Sequence, residues 1–356
     1  GYVWGYFLMF MIVGTGIWLT YKMRLVQIRF FAHAWSLISG KWEKPDDKGE
    51  ITHFQALSTA LAATVGTGNI AGVATAIASG GPGAVFWMWV SAFIGMCTKF
   101  TCCLLALKYR TIDSDGEVAG GPMYYLRDGL KMPKLGMLFA IFAFVASFGI
   151  GNMVQANSVA APLHSYLCEA GLAEVATGEG FNMVRLVIGI VIAILVGIVI
   201  LGGIKRIASF ADKVVPFMAF GYVAASLYIL FVQRENLIPA FKMIFGSAFG
   251  LQEAAGGMLG YGVAEAMRWG IARGLFSNEA GLGSAPIAHA AAKTAEPVRE
   301  GMVALLEPFI DTIVICSMTA LVIITSGYFN QAEAPLFAGL KGAELTAAAF
   351  RHNVAW

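Results

Sequence analysis

The residues best placed to do chemistry are two short runs in which glycine and small polar side chains interrupt apolar sequence. The first, residues 60–72, reads ALAATVGTGNIAG, with Gly66, Thr67, Gly68 and Asn69 at its centre. The second, residues 274–288, reads GLFSNEAGLGSAPIA and holds Ser277, Asn278, Glu279, Gly281, Gly283, Ser284 and Pro286. Glycine and proline clustered in this way weaken a helical ladder, and non-helical backbone at membrane depth is tolerated only beside protein or a water-filled cavity. A broken helix exposes N–H groups with a partial positive charge and C=O groups with a partial negative one. The first can hold a carboxylate and the second a small cation or an ammonium, so one site can take a zwitterion. Around the first run the side chains are small and uncharged. Neutral oxygens from carbonyls, Thr67 and Ser277 suit a hard monovalent cation such as Na⁺, whereas a proton-coupled site would more naturally place an acid there. The alternative use of such glycines is close helix packing through small residues.

The elements that must position these runs are membrane helices. Of 356 residues, 58% are hydrophobic and 13% charged, against about 45–50% and about 25% in soluble chains. That composition excludes a soluble enzyme, a disordered chain, a collagen and a disulfide scaffold. The net charge of +2 gives no reason to expect nucleic acid. Cys97, Cys102, Cys103, Cys168 and Cys316 read as small core residues, not a disulfide or metal framework. A crossing needs roughly 20 apolar helical residues, and eight stretches qualify: 2–21, 55–79, 84–107, 136–162, 184–204, 211–232, 256–291 and 302–326. Short loops join them, so residues 1–356 form a single transmembrane domain. The chain starts at the edge of an apolar segment and stops in a loop-like stretch, and the expectation is a piece lacking its C-terminal part. Sixteen loop lysines and arginines fall on one side of the spans and four on the other. The basic side is read as cytoplasmic, which puts Gly1 outside.

Aligned on their glycines, GTGNIA from Gly66 matches GLGSAP from Gly281. The first break is met from the cytoplasmic side and the second from outside, with four spans between them. Each would therefore open a five-helix unit, the second inverted, which is the arrangement that points to a transporter's central site. Other polar residues lie inside spans. Asn152, Gln155 and Ser158 are spaced three apart and make one helical face polar, either to bind a ligand or to join helices. Glu279 either caps free N–H groups, pairs with Arg273 or ligates a cation, and Glu265 and Arg268 are spaced to pair. Lys99, Glu307 and Asp311 require partners or water.

At these residues the chain resembles a known family. The run ALAATVGTGNIAGVATAIASGGPGAVFWMW from residue 60, AGGPMYYL (119–126), FGIGNMVQANS (148–158) and RGLFSNEAGLGSAPIAHAAAKT (273–294) are similar to the prokaryotic alanine or glycine:cation symporters. The resemblance runs from end to end. It implies an all-α polytopic membrane protein of the leucine-transporter type, a five-plus-five inverted repeat with one preceding helix. It also implies eleven helices, the last three lying beyond this chain. Carried over by position, Gly66, Thr67, Gly68 and Asn69 would receive the substrate carboxylate through backbone N–H and the Asn69 amide. Gln155 matches a polar substrate position, and Phe276, Ser277 and Asn278 would bound the side-chain pocket and the amino group. The main sodium site would use carbonyls near Ala63 and Gly66, with further ligands from a later helix. One departure stands at residues 99–103, KFTCC, where the family pattern has an acid at the position of Cys102.

The expected function is thus sodium-driven symport of alanine or glycine across the prokaryotic cytoplasmic membrane by alternating access, with Na⁺ as coupling ion and no cofactor. The expected partners are the amino acid, Na⁺ and lipid, with no nucleic acid and no obligate protein. Proton coupling is the alternative. An ion channel is a weaker rival, because carbonyl filters come from symmetric copies, and no HExxH, nucleotide loop or complete GxSxG constellation supports an enzyme.

Overall fold

The computed structural model describes residues 6–44, 47–112, 114, 117–171, 183–250, 259–328 and 339–353. In chain order its helices are α1 (Tyr6–Lys22), α2 (Val26–Arg29), α3 (Phe31–Ile38), α4 (His53–Thr64), α5 (Val73–Gly80) and α6 (Gly83–Lys108). A two-stranded hairpin, β1 (Thr111–Ile112) and β2 (Val118–Ala119), precedes α7 (Pro122–Tyr124). Then come α8 (Pro133–Phe148), α9 (Val154–Glu169), α10 (Met183–Ile200), α11 (Gly203–Val232) and α12 (Arg234–Ala248). The second half holds α13 (Leu259–Asn278), α14 (Ala285–His289), α15 (Pro297–Ala304), α16 (Leu306–Pro308), α17 (Ser317–Thr325) and α18 (Gly342–Asn353). The chain is an all-α polytopic membrane protein.

Among the described residues five helices are long and apolar enough to cross a membrane: Gly83–Lys108, Pro133–Cys168, Met183–Ile200, Gly203–Val232 and Pro297–Thr325. The pair His53–Thr64 and Gly68–Gly80, bent by 50°, makes a sixth. Two of the eight expected spans fall short by length or composition. Helix α1 has 17 described residues, and α13 carries Glu265, Arg268 and Arg273. Pro133–Cys168 and Met183–Ile200 turn side chains such as Phe142, Phe144, Ile190 and Ile194 outward. Apolar groups in that position match acyl chains, not water.

Several stretches read as loops are helical. Helix α11 starts at Gly203, not at 211, so Lys205, Arg206 and Lys213 ride on a helix. Lysine and arginine are good helix formers, and charge alone does not end a helix. Helix α12 occupies the expected loop 233–255, and α2 and α3 lie within the basic stretch 22–54. The loop-like end contains α18, built on ELTAAAFR, whose Leu345 and Ala349 are buried in one core cluster with Val73, Ile77 and Ile323. Alanine-rich sequence is helical without being apolar enough for a span.

Helix α6 is the central post. It packs against α13, α15, α1, α12 and α14. Small residues allow the approach: a Cβ on Gly95 would lie 2.8 Å from the Ala280 Cβ, and one on Gly274 3.2 Å from the Met88 Cα. At one end three basic loops meet. Arg110 donates from Nη1 to the carbonyls of Ala290 and Ala292, both at 2.7 Å. Its Nη2 donates to the carbonyls of Lys48 at 2.7 Å and Thr294 at 2.8 Å. Ile51 also forms a parallel bridge with Ala292.

Lys99 is buried inside α6 and its Nζ donates to Glu307 Oε1 at 2.7 Å. The partner that the Cys102 position lacks is supplied from a helix 208 residues away. Breaking a buried pair leaves one charge uncompensated, which costs about 3–5 kcal/mol, whereas replacing both partners with apolar groups is often neutral. Lys99→Ala therefore lowers the unfolding temperature in detergent sharply. Lys99→Met with Glu307→Leu recovers most of the loss.

Candidate functional site

Both glycine-rich runs are broken helices. Helix α4 starts with a capping box, in which Thr52 Oγ1 accepts from Gln55 N–H and Gln55 Oε1 accepts from Thr52 N–H, both at 3.1 Å. It ends at Thr64, because Val65 is extended at φ −75° and ψ 96°. The chain resumes as a π turn, Gly68–Gly72, and continues into α5. In the second run α13 ends at Asn278, and Glu279, Gly281 and Gly283 have φ of 51°, 90° and 93°. Left-handed backbone at consecutive alternate positions cannot belong to a helix, so the chain turns before α14.

Asn69 closes the first break on itself. Its Oδ1 accepts from Gly66 N–H at 2.7 Å. Its Nδ2 donates to the Asp311 carbonyl at 3.0 Å and to Asp311 Oδ1 at 2.6 Å. The second break reaches the same carboxylate, since Ser277 Oγ donates to Asp311 Oδ2 at 2.9 Å. Thr312 Oγ1 donates to that oxygen at 2.7 Å and accepts from Asn278 Nδ2 at 3.2 Å. Asn278 Oδ1 accepts from Ala280 N–H at 3.0 Å, which fixes the start of the turn. Asn69, Ser277, Asn278, Asp311 and Thr312 are all buried. Cys316 Sγ lies 3.4 Å from Asn69 Nδ2 and 3.2 Å from Ser277 Oγ. A buried carboxylate with this many donors is held without a formal counter-charge of its own.

The two breaks touch. A Cβ on Gly68 would lie 2.7 Å from the Ser277 Cα, so only glycine lets the backbones meet there. Gln155 comes to the same place, with its Oε1 3.4 Å from where a Gly66 Cβ would stand. Thr67 Oγ1 is buried with no hydrogen-bond partner among the described residues. Gly66, Gly68, Asn69, Gln155, Ser277 and Asn278 are thus gathered at one locus. Phe276 is half-buried one residue away, with the Arg273 guanidinium 5.8 Å from its ring centre. Ala63 is exposed on the last turn of α4.

Some expectations change. Glu279 does not pair with Arg273. It accepts from Ser284 Oγ, while Arg273 stacks on the Trp269 and Phe276 rings. Glu265 does pair with Arg268, at 3.0 Å. Asn152 is exposed while Gln155 and Ser158 are half-buried, so the expected polar face is not continuous. Asn152 sits in a π turn, Gly149–Met153, which shifts the helical register before Gln155. Sequence reasoning missed Asp311 as the hub. Its only signal was an acid inside an apolar span, which demands a partner without naming one.

Comparison with known proteins gives the family. The model of the sodium:alanine symporter family matches residues 1–356. The chain belongs to the sodium:alanine symporter family. It is 48% identical over 353 residues to the sodium/alanine symporter AgcS of Methanococcus maripaludis, covering 98% of this chain and 73% of that protein. It is 40% identical over 332 residues to the putative sodium/proton-dependent alanine carrier protein YrbD of Bacillus subtilis, covering 93% and 64%. It is 36% identical over 353 residues to the probable sodium/glutamine symporter GlnT of the same organism, covering 99% and 68%. Membership of this family makes the chain a transporter and not an enzyme.

Filling the contact between the breaks tests the site. Overpacking costs about 1–3 kcal/mol, so Gly68→Ala lowers the unfolding temperature modestly. Because it separates the two breaks, it weakens the burial of Asn69 and Ser277 against Asp311, which cysteine labelling at Cys316 reads as increased access.

Proposed function

We propose that this chain is a sodium-coupled symporter for a small neutral amino acid, alanine or glycine, working by alternating access in a prokaryotic cytoplasmic membrane. The observation that carries the reading is the meeting of both broken helices at the Asp311 carboxylate. Backbone N–H groups at Thr67 and Gly68 offer a place for the substrate carboxylate, that of Gly66 being taken by Asn69 Oδ1. Asn69 braces that turn through Gly66 and Asp311, which leaves carboxylate binding chiefly to the backbone. The Thr67 hydroxyl is the side-chain group with spare hydrogen-bonding capacity beside it. Asp311, with Ser277 and Thr312 around it, supplies negative charge for the substrate ammonium or for a cation. Carbonyls near Ala63 and Gly66 are the further cation ligands. Gln155 and Phe276 line the side-chain end, and Asn278 holds the second break open.

The fold in this reading is the leucine-transporter-like five-plus-five inverted repeat with one preceding helix, in a single transmembrane domain. The distribution of basic loop residues supports an N-terminus outside. Coupling follows if each ligand stabilises the same occluded arrangement of the two breaks. Relatives named for sodium and alanine support this choice of ion and solute. The tight approach at Gly68 favours a small solute. Proton coupling is the second reading that a buried carboxylate allows.

In proteoliposomes, alanine addition drives a stoichiometric sodium flux, and alanine uptake unchanged in sodium-free buffer overturns sodium coupling. Asp311→Asn keeps the hydrogen-bonding shape and removes the charge. It lowers uptake at least about 10-fold, equivalent to about 1.4 kcal/mol, with normal insertion into the membrane.

A further inference from the structure

The stretch between α1 and α4 takes no part in the site above. Residues 22–44 carry five cations, Lys22, Arg24, Arg29, Lys41 and Lys44, against one acid, Glu43. All five cations are exposed, and among the described residues none makes an ion pair. Glu43 does not neutralise them, because its Oε1 is turned back to accept His53 N–H at 3.1 Å. The acids beyond the stretch are engaged elsewhere. Glu50 meets Lys205 and accepts Val118 N–H, Glu296 pairs with Arg299, and Asp47 faces Arg110. The positive charge of the stretch is therefore left to the surroundings.

The same stretch has an inner and an outer side. Val26, Gln27, Ala34 and Leu37 are buried against the bundle, and Gln27 Nε2 donates to the Phe93 carbonyl at 3.4 Å. Phe31 meets the Phe309 ring edge-on, with centres 4.8 Å apart. On the outer side Leu25, Ile28, Trp35 and Trp42 are exposed by 44%, 60%, 41% and 45%. Trp42 is exposed yet held in place. Its Nε1 donates to Ser36 Oγ at 3.2 Å, its carbonyl accepts from Arg299 Nη1 at 2.9 Å, and the Arg299 guanidinium stands 5.9 Å from its ring centre. Outward apolar side chains mixed with unpaired cations suit the boundary between acyl chains and headgroups. A free aqueous anion would match the cations and leave the apolar groups in water.

We propose that residues 22–44 form a docking surface for anionic phospholipids, with the five cations holding the headgroups and Leu25, Ile28, Trp35 and Trp42 packing on the chains. The apolar helix α1 ends at Lys22, so the surface begins where that helix leaves the membrane. Basic residues clustered beside a membrane helix attract anionic lipid, each contributing near the surface. A zwitterionic lipid carries the same phosphate beside an ammonium that cancels it. The surface therefore selects lipids by net charge and not by the presence of phosphate. It is joined to the elements that carry the two breaks: Glu43 accepts from the first N–H of α4, and Arg299 and Phe309 belong to Pro297–Thr325.

Tryptophan quenching by brominated lipids tests the surface in phosphatidylcholine bilayers. The chain has eight tryptophans, so the signal is the difference between the wild type and a Trp35→Phe, Trp42→Phe double variant. Brominated phosphatidylglycerol is expected to quench that difference at a mole fraction about 5-fold lower than brominated phosphatidylcholine does, equivalent to about 1 kcal/mol. Replacing all five cations (Lys22→Gln, Arg24→Gln, Arg29→Gln, Lys41→Gln, Lys44→Gln) abolishes the preference and leaves quenching by brominated phosphatidylcholine unchanged. Where that variant fails to insert, Lys41→Gln with Lys44→Gln lowers the preference part-way. Equal quenching by the two lipids overturns the proposal, as does a preference that survives these substitutions or that is absent from the difference signal. Inorganic phosphate that removes the preference, where sodium chloride of the same ionic strength does not, overturns it in favour of a free-anion site. The measurement needs no transport, so its outcome is independent of the symport reading.

Discussion

The structure depends on one constraint: backbone opened inside a membrane has to be satisfied by protein. Each break exposes polar backbone, and neither can stand against lipid. The Asp311 carboxylate answers both, receiving Asn69 from the first break and Ser277 from the second. Because Asn69 also fixes the turn at Gly66, the same interaction sets the shape of the first break and its distance from the second. Glycine at position 68 then follows, since the two backbones are held too close for a Cβ. The small residues of the broken helices are consequences of that contact as much as causes of it.

A low charge content makes every buried charge a matter of pairing. The chain has 46 charged residues, 24 basic and 22 acidic. Those in the interior are not scattered. Glu300, Glu307 and Asp311 lie on the one continuous segment Pro297–Thr325, and their spacings of seven and four put them along one side of it. That side faces α4, α6 and the second break. The segment is consequently the element against which both broken helices are registered, with the ion-pair cluster toward one end and the carboxylate hub farther along. A π turn, Phe309–Cys316, carries the hub. Such widened turns reorient side chains that an ideal helix would aim elsewhere.

Much of this was legible in the sequence. Glycine and asparagine inside apolar runs are conspicuous, and they identified both breaks because few other causes interrupt a membrane helix twice. What pairs with what was not legible. Asn69 and Asp311 are 242 residues apart, and Lys99 and Glu307 208 apart. Intramembrane charge announces that a partner exists, yet composition carries no distance. Two shorter helices differ from the expectation for another reason. Hydropathy finds spans, whereas α12 and α18 are helical through propensity and packing, with Pro239 in one and an Ala-rich face on the other. Helix α11 starts at Gly203 and not at 211 because lysine and arginine at a helix end can reach water while the backbone stays helical.

Placing the hub and the ion-pair cluster on one helical segment has an energetic consequence. A ligand can shift a conformational equilibrium only by as much as its affinity differs between the two states. A cation or ammonium bound at Asp311 would compete with Asn69 and Ser277 for the same oxygens and so would change how tightly each break is held to Pro297–Thr325. His53 and His289 hold the outer ends of the same two broken segments to Glu300 on that segment. Movement of either break is therefore opposed at two points along one helix. Both attachments lie on that one segment, so changes at the hub and at Glu300 act on the same element.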